Sequence, residues 1–397
     1  RKKLILSNLI TYLIMITIFM FNLSQLPNFV ELGMTQMISM PFWMVLILSL
    51  LTNNSFKIHR SFIELFILSG IFLSTIGFFS IIKSVNYFTS SLVYSLIISI
   101  AMYVTGVLIS PLFSKDLFRG IIITYSISVL IVSISIFIRY FGLDFSLDTT
   151  VYQYRSKNSF SQNILNAVIL LYYGYTPKNK IQNIFKIFVI IFGLFMIIVL
   201  RSRATILSLI FILICMLFSG NLEKKYKRYI LLSSVILTII LIVNEELRVK
   251  LVYNVIMAGR DVNDLDSLSS GRITILKSFP SLIGNNWITG IGPLYYECFP
   301  ISAILQFGLI AGSMLIIISL IPFIKSVYQR NNKVWEILFF LSIGYLINSL
   351  FEGLAPFGPG IKCYILWLLY GILNSPYNLA IFEDDNDYGK RKKQPKN

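Results

Sequence analysis

Two arginines, Arg201 and Arg203, flank a single serine and interrupt an apolar run that otherwise extends from Phe185 to Phe218. A guanidinium keeps its charge in any protein environment and forks onto phosphate oxygens through paired N–H···O bonds. Arginines at membrane depth cost about 2.5–3.5 kcal/mol each on insertion scales, which argues for a function. The competing explanation is a pair of side chains reaching from a helix end to lipid headgroups. A third arginine opens the pattern Ser270-Gly271-Arg272, ahead of Ile273, Leu276, Lys277, Phe279 and Ile283. Two carboxylates, Glu297 and Glu352, stand beside glycine-rich steps. A carboxylate partly withdrawn from water gains a raised pKa and can take a proton from a hydroxyl group. For each, an ion pair with a neighbouring arginine is the alternative. Arg203, Arg272, Glu297 and Glu352 are therefore the catalytic candidates. Arg201, Arg260, Lys277, Arg155 and Tyr295 are the candidates to hold a substrate.

These residues must be positioned by helices in a membrane. The 397 residues are 56% hydrophobic and only 13% charged, with mean hydropathy +0.76. Apolar runs of roughly 17 to 25 residues recur, each enough to cross a hydrocarbon core as a helix. Spanning strands would alternate with period two, and these runs do not. The expected fold is all-α and polytopic, with twelve spans near 4–22, 34–52, 61–82, 91–113, 119–140, 161–175, 184–200, 204–219, 229–243, 301–321, 335–352 and 361–373, each bounded to within about 2–4 residues. One domain covers 1–381, and a polar tail of charged residues follows over 382–397.

Lysine and arginine asymmetry between alternate linkers sets the orientation. Most of the 34 cations fall on one set of linkers, from Arg1, Lys2 and Lys3 to the Lys390–Lys396 cluster. That face is cytoplasmic, so both termini are inside and the long 244–300 stretch is extracytoplasmic. Such cations set topology and meet anionic headgroups, which accounts for the net charge of +16 without nucleic acid. The outer cations begin at Lys83 and Arg139 and include Arg155, Lys157, Arg248, Lys250 and Lys362 beside those named above. Topology alone would exclude them, so an anionic ligand is expected there.

Ser269 or Ser270 can cap a helix starting at Arg272, which Pro280 would end or kink, giving an amphipathic helix at the interface. Leu247, Leu251, Val252, Val255 and Ile256 suggest a second one. Asp261, Asp264 and Asp266 read as a solvated loop ahead of a metal triad, and no cofactor or metal is expected. Glu64 should pair with Arg60 one helical turn away. The three cysteines (Cys215, Cys298, Cys363) show no metal or redox spacing; Cys298 and Cys363 are read as two unrelated thiols ahead of a pair. His59, the only histidine, lies on an inner loop. Tyr140, Tyr152, Tyr154, Trp287, Tyr295 and Tyr296 form an interfacial belt that can also stack on sugar rings. No cleavable signal peptide is expected, because the first apolar run is long enough to span.

At these residues the sequence resembles the bacterial O-antigen polymerase (Wzy-type) and O-antigen ligase superfamily. Ser202-Arg203 at a helix head, Ser270-Gly271-Arg272, the turn Gly290-Ile291-Gly292 and the step Gln306-Phe307-Gly308 to Gly312 match that pattern in order, over roughly 185–320. The resemblance implies a metal-independent glycosyltransferase of GT-C type in the bacterial plasma membrane. Its donor would be a glycan on undecaprenyl pyrophosphate, and its acceptor a second lipid-linked repeat of an O-antigen or capsule. Membrane lipids are partners, and a chain-length regulator is a further candidate. Ligases of the superfamily carry a histidine where this chain has Glu297. With His59 on the other face, polymerase is favoured over a ligase-like transferase. A flippase or transporter is the alternative from another class, although no internal repeat is found.

Overall fold

A computed structural model describes residues 2–53, 60–141, 154–218, 224–256, 264, 266, 269, 271–329, 332–360 and 362–375. Among these residues every element is helical. His59, Tyr152, Asp261, Arg260, Ser270 and the 382–397 tail, all singled out in the sequence, lie outside them.

Each apolar stretch folds as a helix because a helix satisfies the backbone of a hydrocarbon-length run internally. In chain order these are α1 (Lys2–Leu23), α2 (Thr35–Asn53), α3 (Arg60–Lys83), α4 (Ser91–Ile109), α5 (Lys115–Tyr140), α6 (Lys157–Ile169), α7 (Lys180–Val199), α8 (Arg203–Phe218) and α9 (Lys224–Val243). Then come α10 (Arg272–Ile283), α11 (Phe299–Tyr328), α12 (Lys333–Ser349) and α13 (Tyr364–Leu373). A π-helical turn, Leu170–Gly174, closes α6, and Glu245–Arg248 with Val249–Ile256 follows α9. Among the described residues, six helices are long and apolar enough to cross a membrane by length and composition: α2, α3, α4, α5, α7 and α11. Large apolar side chains stay exposed along α7 and α9, among them Ile187, Ile191, Leu231 and Ile239. On a protein in water such surfaces would drive association; here they suit lipid.

α12 is the central helix, buried on almost every side against α6, α8, α11 and α13. Ser208 on α8 donates to the Gly344 carbonyl at 3.0 Å, fixing the register of α8 on α12. α4 and α13 approach most closely at Gly106 and Gly371, where a Cβ would strike the facing backbone. Small residues at such crossings are how helices pack when lipid removes the hydrophobic incentive.

α11 departs from the single span expected over 301–321. Gly308 sits at φ +75°, ψ 178°, outside helical geometry, between Phe299 and Tyr328. Ala303 and Gly312 are nine residues apart, more than 13 Å along a straight helix, yet a Cβ on Gly312 would lie 2.7 Å from the Ala303 carbonyl. The chain therefore doubles back at Gly308 into a short helix, 299–307, and a longer one, 309–328. The break frees backbone groups, and the glycine turn supplies their partners. Ile291 N donates to Leu305 O (2.8 Å), Gly292 N to Gln306 O (3.2 Å) and Leu309 N to Trp287 O (2.7 Å). The two glycine motifs of the sequence are thus one structure, stitched by backbone bonds.

Pro280 does not end its helix: α10 continues to Ile283 and stops at Gly284, which has φ +49°. Glu64 meets Lys325 of α11 at 2.8 Å, a partner across the bundle. The Arg60 side chain lies outside the described residues.

Candidate functional site

The polar residues of interest gather at the end of the bundle where α12 terminates and α10 begins. α10 starts at Gly271, whose φ of +79° is the left-handed conformation that favours glycine. Gly271 has no side chain to cap with. The first-turn amides are taken instead by Ser269 Oγ, which accepts from Ile273 N at 3.2 Å, and Asp266 Oδ1, which accepts from Thr274 N at 2.9 Å. Hydrogen bonding from Thr274 holds the Asp266 carboxyl below its usual pKa. The acidic stretch is thus at least partly a helix cap.

Arg272 leads that helix and joins three separate segments. Its Nε donates to Glu297 O (3.1 Å) and Nη1 to Ser269 O (2.8 Å), while Nη2 donates to Glu297 Oε2 (2.9 Å) and Phe351 O (2.8 Å). The guanidinium also lies 5.3 Å from the Phe351 ring centroid. Four of five N–H donors are committed, with one left for a ligand. The side chain is 17% exposed and Glu297 is 55% exposed. Glu297 therefore sits in an ion pair, the alternative weighed for it above.

Glu352 has a different environment. It lies half-buried just past α12, and Asn158 Nδ2 at the start of α6 donates to its Oε1 at 2.7 Å. Loss of water raises its pKa, and the Glu297 carboxylate raises it further, against the Asn158 bond and the charges of Arg272 and Lys362. Gly353 makes this proximity possible, since any Cβ would collide with the Tyr296 carbonyl. Segment 295–297 thereby lies flat on 351–353. Tyr295 is exposed, and its hydroxyl pKa is raised by desolvation first and by Glu352 and Glu297 next.

Beneath Glu352 lies a cavity of about 20 Å³, bordered by Gln162, Tyr345, Asn348, Lys362 and Cys363 among others. That is room for about one water. Lys362 donates to Ser156 Oγ at 3.0 Å, and burial pulls its ammonium down to about 8. Below them Asn348 donates to Gln162 Oε1 (3.0 Å) and Asn166 donates to the Tyr345 hydroxyl (2.7 Å). Lys362 stood out in the sequence only as one of the outer cations, whereas Asn158 and Ser156 carried no signal there.

Arg201 and Arg203 enclose the α7–α8 turn. Arg201 is buried at φ +49°, a left-handed conformation that costs a non-glycine residue about 1–2 kcal/mol. Its amide donates to Ile198 O at 3.0 Å. Ser202 is fully buried, its Oγ hydrogen-bonded with Thr205 Oγ1 at 3.0 Å, and Arg203 opens α8 half-buried. With Ser208 fixed on Gly344, antiparallel packing at 1.5 Å per residue brings Arg203 to about the level of Ser349. Arg203 and Arg272 thus belong to the same end of the bundle. Arg155 and Lys277 are exposed there. Cys298 and Cys363 are both free thiols.

This arrangement offers a half-buried carboxylate, a fixed guanidinium and a strained arginine turn at the mouth of an apolar bundle. It suits proton removal from a hydroxyl and stabilisation of a departing anion. No protein-family model matches the chain, and no curated protein matches it.

Proposed function

We propose that this chain is a membrane glycosyltransferase that polymerises polysaccharide repeat units, an O-antigen or a capsule, at the outer face of a bacterial plasma membrane. In this reading all twelve apolar helices span, both termini are cytoplasmic and the organisation is GT-C-like. Glycan on undecaprenyl pyrophosphate is the donor, and a lipid-linked repeat is the acceptor. The observation that carries it is the meeting of Arg272, Glu297 and Glu352 through the segments 269–272, 295–297 and 351–353, at the same end as Arg203.

Glu352 serves as base toward the acceptor hydroxyl, because its raised pKa gives it proton affinity, whereas Glu297 is engaged in the ion pair with Arg272. Arg203 and the remaining donor of Arg272 face the pyrophosphate, where negative charge grows as the glycosidic bond breaks. The residual polar groups of Arg201, Arg260, Lys277, Arg155 and Tyr295 hold the phosphates or the glycan. A lipid-tethered donor has to be met at the interface, where these residues are.

Arg203→Ala in a host lacking its own copy tests the reading. Membrane abundance should stay near wild type while surface glycan collapses to single repeats on a gel. Wild-type chain lengths would sink it, and long lipid-linked chains left unattached would point to a ligase.

A further inference from the structure

The end of the bundle opposite Arg272 contains a cavity of about 490 Å³ that the proposed glycan chemistry does not use. Three segments converge on it: the start of α5, the linker after the π-turn and the start of α12. They bring Lys115, Arg119, Lys178 and Lys333 to the rim against one carboxylate among the described lining residues, Asp116. Phe118, Val334 and Ile337 form apolar wall below. The volume is that of a small-molecule site.

Positive charge on linkers sets membrane topology wherever it lies along them, and gives no reason for cations from three segments to surround one hollow. Like charges in a concave, low-dielectric cleft repel one another and focus a field that favours an anion. The wall is also built rather than incidental. Arg119 Nη2 donates to Gln182 Oε1 at 2.7 Å, and its guanidinium lies 5.0 Å from the Tyr175 ring centroid. Lys186 Nζ donates to the Tyr172 and Tyr175 carbonyls at 3.1 and 2.8 Å, securing the linker behind it. Asn332 and Ser114 cap α12 and α5 at the same place, so two helix N-termini add partial positive charge. Glu336, buried on the first turns of α12, does not line the cavity.

We infer that this cavity binds a phosphate-bearing anion, either the headgroup of an anionic lipid or a soluble phosphate compound. Cationic rim over apolar wall matches both, since basic pockets between membrane helices take lipid phosphates and the opening also meets water.

The test uses the full chain in two settings: phosphatidylcholine nanodiscs with and without phosphatidylglycerol, and detergent with and without inorganic pyrophosphate. Thermal midpoint and native mass spectrometry report binding. Stabilisation by phosphatidylglycerol alone supports a lipid source, and stabilisation by pyrophosphate supports a soluble one. Lys178→Ala with Lys333→Ala should weaken binding roughly 30-fold. Lys227→Ala with Arg228→Ala, at the start of α9 and outside the lining, should leave it unchanged. If the first double variant does not purify, Lys178→Gln alone should show a weakening of roughly fivefold. No stabilisation of wild type by either probe, equal losses in both double variants, or an unchanged Lys178→Gln affinity would overturn the inference.

Discussion

Replacing Glu352 with glutamine removes a charge while keeping the shape, and Glu297→Gln does the same across the cluster. In Glu352→Gln the new Oε1 can still accept from Asn158 Nδ2, now 2.7 Å from the carboxylate, so the local fold should survive. What disappears is the proton acceptor, and general bases contribute about 10²–10⁴ to rate. Polymer formation from purified lipid-linked repeats, read as a ladder on a gel, should therefore fall about 10²- to 10⁴-fold. Stability should move the other way. The folded Glu352 carboxyl has a pKa raised above the ordinary 4.5. Its stabilising contribution is complete below 4.5 and is lost as pH rises through the folded value. The glutamine variant lacks that loss, so at neutral pH it should melt no lower than wild type, with a flatter dependence above pH 4.5. Wild-type activity should fall on the acid side as Glu352 protonates, at a pH above that of an ordinary glutamate. Glu297→Gln loses an ion pair whose carboxylate is open to solvent, worth about 1 kcal/mol, and should keep activity within a few-fold. A hundredfold loss in Glu297→Gln beside a near-normal Glu352→Gln would reverse the two roles and refute the reasoning.

Arg272→Lys keeps the charge but has only three donors against four hydrogen bonds in fixed directions. A loss of about 1–3 kcal/mol is expected, seen as a lower melting midpoint in detergent; an unchanged midpoint would show that the brace carries no stability. Gly308→Ala places a Cβ against the Ile288 carbonyl at a φ of +75°, costing at least about 1–3 kcal/mol. It should aggregate or melt early on size-exclusion and thermal assays. Lys325→Ala should melt within about 1 kcal/mol of wild type, because its pair with Glu64 is half open to solvent.

The helices were legible because hydrocarbon-length apolar runs leave few other solutions, and charges mark their ends. Arg272 was legible as an important position, but its brace was not. All three of its partner segments contribute backbone carbonyls, those of Ser269, Glu297 and Phe351, which carry no sequence signal. Glu297 and Glu352 looked alike in sequence; only burial and the Asn158 bond separate them. Gly308 and the Gly290-Ile291-Gly292 turn stood out singly, whereas their joining needs a reversal that no periodicity encodes. A buried polar residue offered a hint: Gln306, in an apolar helix, accepts from Ser90 Oγ at 2.6 Å and donates to Ser302.

The four bonds of Arg272 also bear on biogenesis. A membrane protein is threaded into the bilayer from its N-terminus, and the Phe351 carbonyl leaves the ribosome after nearly all other parts of the cluster. Until α12 has been inserted, Arg272 lacks its anchor there, Gly353 is not present to seat segment 295–297, and Glu352 does not exist. The nascent chain thus lays down most of its apolar helices before the cluster can close. A chain arrested before residue 351 should carry the long loop with Arg272 held by Ser269 and Glu297 alone, which limited proteolysis of ribosome-stalled intermediates would reveal as cleavage around 271–298 that vanishes on completion.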